Sequence, residues 1–151
     1  MINIALIPHT EVPLTWHLYS HLVQEALDYS RGECLLEDVY QMAASGGMQV
    51  WVAADEKEKR TSIVEAVMIT QIIVYPRKRF LRIVVLAGTS VHRFDDGWEV
   101  IENWAIDQEC HGVESFARRG FQRWAKGSGF REYYSVIGKD FPIKNLHQDK
   151  T

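Results

Sequence analysis

Apolar residues alternate at Ile2, Ile4 and Leu6, a period of two that predicts a short strand over residues 1–8. The period then lengthens. Trp16, Tyr19, Leu22, Val23, Ala26 and Leu27 recur three and four residues apart and share one face of a helix over about 13–30, which Arg31-Gly32 ends. A shorter helix over 36–44 turns Leu36, Val39, Tyr40 and Ala43 inward and stops at Gly46-Gly47. Three strands follow, over 48–54, 62–75 and 80–87, joined by a charged turn at 55–60 and a basic one at 76–79. The third, FLRIVVLA, is nearly unbroken in Ile, Val and Leu, as a central strand covered on both faces requires.

Helical spacing returns after residue 95. Trp98, Ile101, Trp104 and Ala105 form a buried stripe, Asp95 and Asp96 suit the helix N-terminus and one of them caps it, and His111-Gly112 closes it. A strand over 113–117, a helix over 120–126 with Phe121 and Trp124 inward, and a last strand over 130–137 (FREYYSVI) complete the order β-α-α-β-β-β-α-β-α-β. That order describes an α/β chain with a mixed central sheet of about six strands and helices on both faces. The hairpin meander lies in the middle and the helical crossovers near the end. Residues 1–141 form one domain, followed by a polar tail over 142–151.

Composition narrows this picture. With 151 residues, 46% hydrophobic, the chain can bury a core without disulfide or metal staples. A net charge of −3 gives no reason to expect a nucleic-acid partner, and no apolar run is long enough for a membrane span. The first ten residues lack the basic start and small-residue cleavage site of a secretory leader, which points to the cytoplasm of the cell that makes the protein. Cys34 and Cys110 have no CxxC company and are expected to be ordinary thiols.

Four stretches, MQVWVAAD (48–55), VYPRKRFLRIVVLAG (74–88), WEVIENWAIDQECHGVESFARRGFQRW (98–124) and GFREYYSVIGKDF (129–141), fall in an order and spacing that resemble the GNAT superfamily of acetyl-CoA-dependent N-acetyltransferases. Their text is similar to that of small GNAT-like proteins of tailed phages, some counted among internal virion proteins. The resemblance implies a phage-encoded protein of the host cytoplasm and the virion, with virion or host proteins as partners.

It also implies where chemistry would lie. Active relatives hold the cofactor pyrophosphate on a glycine-rich loop at a helix N-terminus, where amide donors and the helix dipole favour an anion. Residues 88–97 of this chain contain Arg93 and two glycines but no Gly-x-Gly. Asp95 and Asp96 stand where phosphates would approach, at a cost of about 1 kcal/mol each even in high dielectric. Relatives commonly carry a general-acid Tyr four residues before the Gly-Phe of the last strand; Gly129-Phe130 is that pair here, and Ala125 occupies the position. A proton acceptor for the amine is offered by Glu65, an acidic residue in an apolar strand, unless it faces water. The backbone of Val84, Val85 and Leu86 would receive acetyl-CoA if the protein is active. With two of three catalytic features altered, the expectation is a catalytically degenerate protein that needs no cofactor, with an active N-acetyltransferase acting on a host protein or small amine as the alternative.

Other groupings are weaker. His17, His21 and Glu25 stack at i, i+4 and i+8, but no third element of a zinc motif accompanies them, so they are expected to be a solvent-facing stripe with no metal. Arg77, Lys78, Arg79 and Arg82, and separately Arg118, Arg119, Arg123 and Lys126, are basic groups expected to be solvated surface. Trp16, Trp51, Trp98 and Trp104 are expected in the core, and Trp124 beside Arg123 suits a protein contact.

Overall fold

A computed structural model of the chain describes residues 2–55, 64–88, 94, 95, 97–117 and 127–143. Strands β1 (Ile2–Ile7), β2 (Gln49–Asp55), β3 (Val64–Val74), β4 (Arg79–Gly88) and β5 (Gly112–Ser115) form one sheet in the order β1-β2-β3-β4-β5. The first three pairings are antiparallel and β4–β5 is parallel. Helix α4 (Trp98–Asp107) makes the crossover between the two parallel strands.

Helices lie on both faces. On one, α1 (Val12–Thr15), α2 (Ser20–Leu27) and α3 (Leu36–Ala44) bury Val12, Leu22, Val23, Val39 and Ala43 against Val50, Val52, Val67 and Ile69. On the other, α4 sets Trp98, Ile101 and Ala105 with Phe94 against Trp51, Ala53, Ala66, Met68, Leu81 and Ile83. Each fully buried large side chain contributes roughly 1.5–3 kcal/mol of transfer free energy, so the two layers jointly pin the sheet's register.

The long helix expected over 13–30 is interrupted. Residues 16–18 tighten into a 3-10 turn, and Tyr19 leaves helical geometry at φ −137° and ψ −2°. The break carries the Tyr19 ring into the core, where its hydroxyl lies 2.9 Å from Thr15 Oγ1 and its edge meets Trp16. The i, i+4, i+8 stack of His17, His21 and Glu25 is lost with it; all three are exposed.

Two further expectations are corrected. Residues 130–137, expected as the last strand, form none, while the five strands among the described residues keep to the expected mixed sheet of about six. The aromatic and β-branched composition of residues 130–137 suits a strand, but such propensity is realised only against a paired neighbour, and among the described residues none pairs with them. Asp95 does not cap α4 either. The N-cap is Gly97, with no side-chain capping bond, and Asp95 is exposed in the preceding turn. A Cβ at Gly97 would stand 2.7 Å from Ile4 Cδ1, so a larger residue there would require the end of that side chain to shift. Asp96 and the helix expected over 120–126 lie outside the described residues.

Candidate functional site

β4 is where the sheet departs from regularity. Its Ile83 and Val85 pair with the consecutive β3 residues Thr70 and Ile69, so Val84 is an extra residue on β4. A bulge of this kind bends the strand and reverses which side of the sheet the following side chains meet. The reversal is visible in the core. Leu81 and Ile83 face α4, whereas Val85 and Ala87, in the same odd-numbered positions, face α2 and α3. An alternation of buried and half-buried residues that looks unbroken along β4 therefore serves two different cores.

The partner on the other side gives way at the same level. β5 pairs with β4 through Phe80↔Gly112, Leu81↔Val113, Arg82↔Glu114 and Ile83↔Ser115, and the pairing ends there. β4 continues to Gly88. Among the described residues the edge of 84–88 that faces away from β3 has no strand partner, and β4 and β5 bound a notch with its apex at Ile83 and Ser115. Ser115 Oγ donates to the Ile83 carbonyl at 3.1 Å across that apex. Val84, Val85 and Leu86, the residues expected to meet a cofactor, line the free edge of this notch. A bulge followed by an unpaired strand edge leaves backbone amides available to a ligand, which is the requirement acetyl-CoA would impose.

Glu65 lies at a second bulge. Ala53↔Ala66 and Ala54↔Val64 are paired, so Glu65 is the extra residue on β3. It is half-buried, with Oε2 shielded from solvent, rather than a water-facing strand residue. Gly88, the last residue of β4, pairs with Ala66 and adopts φ +141°. A Cβ there would collide with the Glu65 carbonyl oxygen and lie 2.5 Å from Ala66 Cα. The glycine thus brings the open end of the notch against the backbone of Glu65. Arg93 and Ala125 lie outside the described residues.

Below the apex is a polar group that spacing along the chain did not reveal. Arg82 Nε and Nη2 lie 3.1 and 3.0 Å from Glu114 Oε1. The Tyr75 hydroxyl donates to the same carboxylate at 3.0 and 3.2 Å and accepts from Arg82 Nη2 at 3.1 Å. The Phe116 ring lies 4.5 Å from the guanidinium. Arg82 is therefore paired, unlike the exposed Arg77 and Lys78, and the basic group expected at 77–82 is divided. The only sequence signal for this arrangement is the charge in the β-strand text of β4; Glu114 becomes its partner solely through the crossover.

Trp51 and Trp98 are buried, Trp16 and Trp104 half-buried, and Trp51 meets Trp104 edge to face at 5.5 Å. Both cysteines are free thiols. Burial, with the nearby Asp38 and Glu33 carboxylates, pushes the Cys34 thiol up, which disfavours the nucleophilic thiolate. Among the described residues no group of His, Cys, Asp or Glu could hold a metal ion, and no helix is long and apolar enough to cross a membrane.

A bulged central strand, a parallel neighbour that parts from it and a helical crossover at the parting define the GNAT acetyltransferase fold, and the comparison with solved structures agrees. A predicted acetyltransferase from Clostridium acetobutylicum, solved with acetyl-CoA, superposes with a TM-score of 0.62 at 13% identity over the whole of both chains. An aminoglycoside acetyltransferase from an uncultured soil metagenomic sample, solved with sisomicin, gives 0.67 at 12% identity over 95% of this chain and 97% of its own. The ribosomal-protein-alanine N-acetyltransferase of Brucella melitensis gives 0.66 at 11% identity over 93% and 99%. No protein-family model matches the chain, and no curated protein matches it by sequence.

Proposed function

We propose that the protein binds acetyl-CoA in the notch between β4 and β5 and transfers the acetyl group to an amine. The observation that carries this reading is the coincidence of the Val84 bulge with the end of β4–β5 pairing at Ile83 and Ser115. The likeness to a predicted acetyltransferase solved with acetyl-CoA supports it at the level of fold. When bound, acetyl-CoA supplies an acetyl group activated as a thioester. The backbone of Val84, Val85 and Leu86 would hold its acyl end, and the shielded Glu65 carboxylate would accept the proton that the attacking amine releases.

A second reading is a catalytically degenerate, phage-encoded protein with a place in the virion or its assembly, whose partners are virion or host proteins. The loss of catalysis in this reading is favoured by the exposed Asp95 in the turn before α4, by the missing Gly-x-Gly and by Ala125 in place of a phenol, and its phage origin rests on the sequence resemblance alone. Calorimetric titration of the full chain with acetyl-CoA, followed by a thiol-release assay on a panel of amines, separates the two. Binding with amide shifts at residues 84–86 and thiol release that Glu65→Gln slows supports the transferase. Binding without release supports the second reading. Absence of heat at about millimolar cofactor ends the first.

A further inference from the structure

The two faces of the sheet differ at the level of the notch. On the α4 side Leu81, Ile83 and Val113 fill it with packed apolar side chains. On the opposite side the core beneath α1, α2 and α3 takes in Val84, Val85 and Ala87 of β4 and nothing earlier on that strand. Below the bulge the same face carries Phe80 and Arg82 of β4 with Glu114 and Phe116 that follow on from β5, because alternate residues of a strand share a face. None of these four belongs to either core. The Arg82 and Glu114 side chains keep 24% and 20% of their surface in solvent, and Phe116 is 62% exposed. Arg82↔Glu114 is the pair next to the apex at Ile83 and Ser115, one ladder step of about 3.3 Å away. An amine can reach the apex over this polar face and not through the packed α4 core.

Arg82 is placed to hold what arrives there. Its Nε and Nη2 lie 3.1 and 3.0 Å from Glu114 Oε1, and Nη2 donates its second proton to the Tyr75 hydroxyl at 3.1 Å. That leaves the two donors of Nη1, which have no protein partner among the described residues. The Phe116 ring covers the guanidinium at 4.5 Å. A cation already fixed by three neighbours loses little freedom when a fourth partner binds. An apolar or cationic group lying over Nη1 would strip water from both donors and pair with neither. An anionic oxygen satisfies them, and a carboxylate suits better than a doubly charged phosphate because Glu114 already balances the guanidinium charge.

We propose that Arg82 Nη1 receives a carboxylate of the acceptor, so that the amine acetylated at the notch is that of an amino acid or another small amine bearing its own carboxylate. The assignment rests on the transferase reading above and adds the class of acceptor to it. The amine nitrogen bonds to the acetyl carbon, the carbon–sulfur bond breaks with its electron pair on sulfur, Glu65 takes the amine proton and solvent protonates the thiolate; the carboxylate is unchanged. Glu114 and Tyr75 are positioning residues that aim Nη1 outward.

Two measurements on the full chain test this. The first is thiol release from acetyl-CoA with α-amino acids, each against its own carboxamide. The acid is expected to show a KM at least about tenfold below that of the carboxamide. Arg82→Gln removes the difference by raising the KM of the acid alone, and Arg77→Gln, on the exposed turn between β3 and β4, changes neither KM. Should Arg82→Gln lose the near-ultraviolet circular dichroism of the fold, Arg82→Gln with Glu114→Gln, which leaves no carboxylate unpaired, takes its place. The second measurement needs no turnover: NMR titration with an N-acetylated amino acid and with its carboxamide, in which only the acid shifts the Arg82 Nε–H resonance. Thiol release indifferent to the carboxylate, or equal KM changes for acid and carboxamide in the Arg82 variant, overturns the proposal and leaves the transferase reading standing. Shifts at Arg82 without thiol release to any amine keep the carboxylate site and overturn the transfer. No shift at Arg82 from the acid overturns the site whatever the turnover.

Discussion

Ser115 Oγ donates to the Ile83 carbonyl at 3.1 Å, and that bond sits at the last point where β4 and β5 are paired. The hydroxyl satisfies a carbonyl on β4 at the level where the strand ladder stops. Ser115→Ala leaves that carbonyl with one partner fewer at a half-buried position, a cost of about 1 kcal/mol, or a fall of about 2–4 °C in thermal midpoint for a domain of this size. Differential scanning calorimetry measures it. A shift under about 1 °C would show that the hydroxyl has no part in holding the apex.

The notch depends equally on Gly88. At φ +141° an alanine is strained, and its Cβ meets backbone, the Glu65 carbonyl and Ala66, which cannot move aside as a side chain does. Gly88→Ala is expected to cost about 2–5 kcal/mol, the sum of backbone strain and overpacking. Gly32→Ala, at φ +84° with nothing within 4 Å of its Cβ, carries the strain alone, about 1–2 kcal/mol. Urea denaturation of both variants gives the comparison. Equal losses would remove the steric contribution at Gly88.

How much of this was legible in the sequence differs by element. β1 to β5, α3 and α4 could be read because a single period governs each and a core face fixes it. The strand text of 80–87 gave the position of β4 but not its bulge, since a residue inserted into a run of Ile, Val and Leu changes no local pattern. Only the partners Ile69 and Thr70 reveal Val84 as the extra residue. Glu65 stood out as a charge in an apolar strand, yet its half-burial goes with a bulge of β3 against β2 that sequence cannot display. The Arg82–Glu114–Tyr75 group is assembled across 39 residues of chain, so no spacing announces it. The segment at 131–137 misled for the opposite reason: its composition is a strand's, but a strand needs a neighbour.

Trp51 tests the α4-side core. Its indole Nε1 donates to Thr70 Oγ1 at 3.0 Å, and the threonine hydroxyl donates onward to Gln49 Oε1 at 2.9 Å. Thr70 is a buried polar residue, and replacing it by valine keeps the shape while leaving the indole donor without its acceptor. Thr70→Val is expected to cost about 1–3 kcal/mol, and Thr70→Ser, which keeps the hydroxyl, less than that. Tryptophan fluorescence during urea unfolding reports both. A valine variant as stable as the parent would mean that the chain of bonds contributes nothing net.

Tyr19 sets a pH limit from the other core. Burial raises its phenol above the ordinary value near 10, with the Thr15 hydrogen bond acting the other way. Between that ordinary value and the raised one, the folded chain keeps a proton that the unfolded chain has lost. The unfolded state then binds fewer protons, the slope of stability against pH is negative, and stability present below about pH 10 is lost as pH rises through the folded value. Tyr19→Phe abolishes the titration, so its urea midpoint should decline less between about pH 9 and 11 than that of the parent. At neutral pH the same variant gives up the Thr15 bond and is expected to be less stable by about 1 kcal/mol. The two pH profiles therefore converge at alkaline pH. Parallel profiles would show that the phenol of Tyr19 ionises as freely in the folded protein as in the unfolded one.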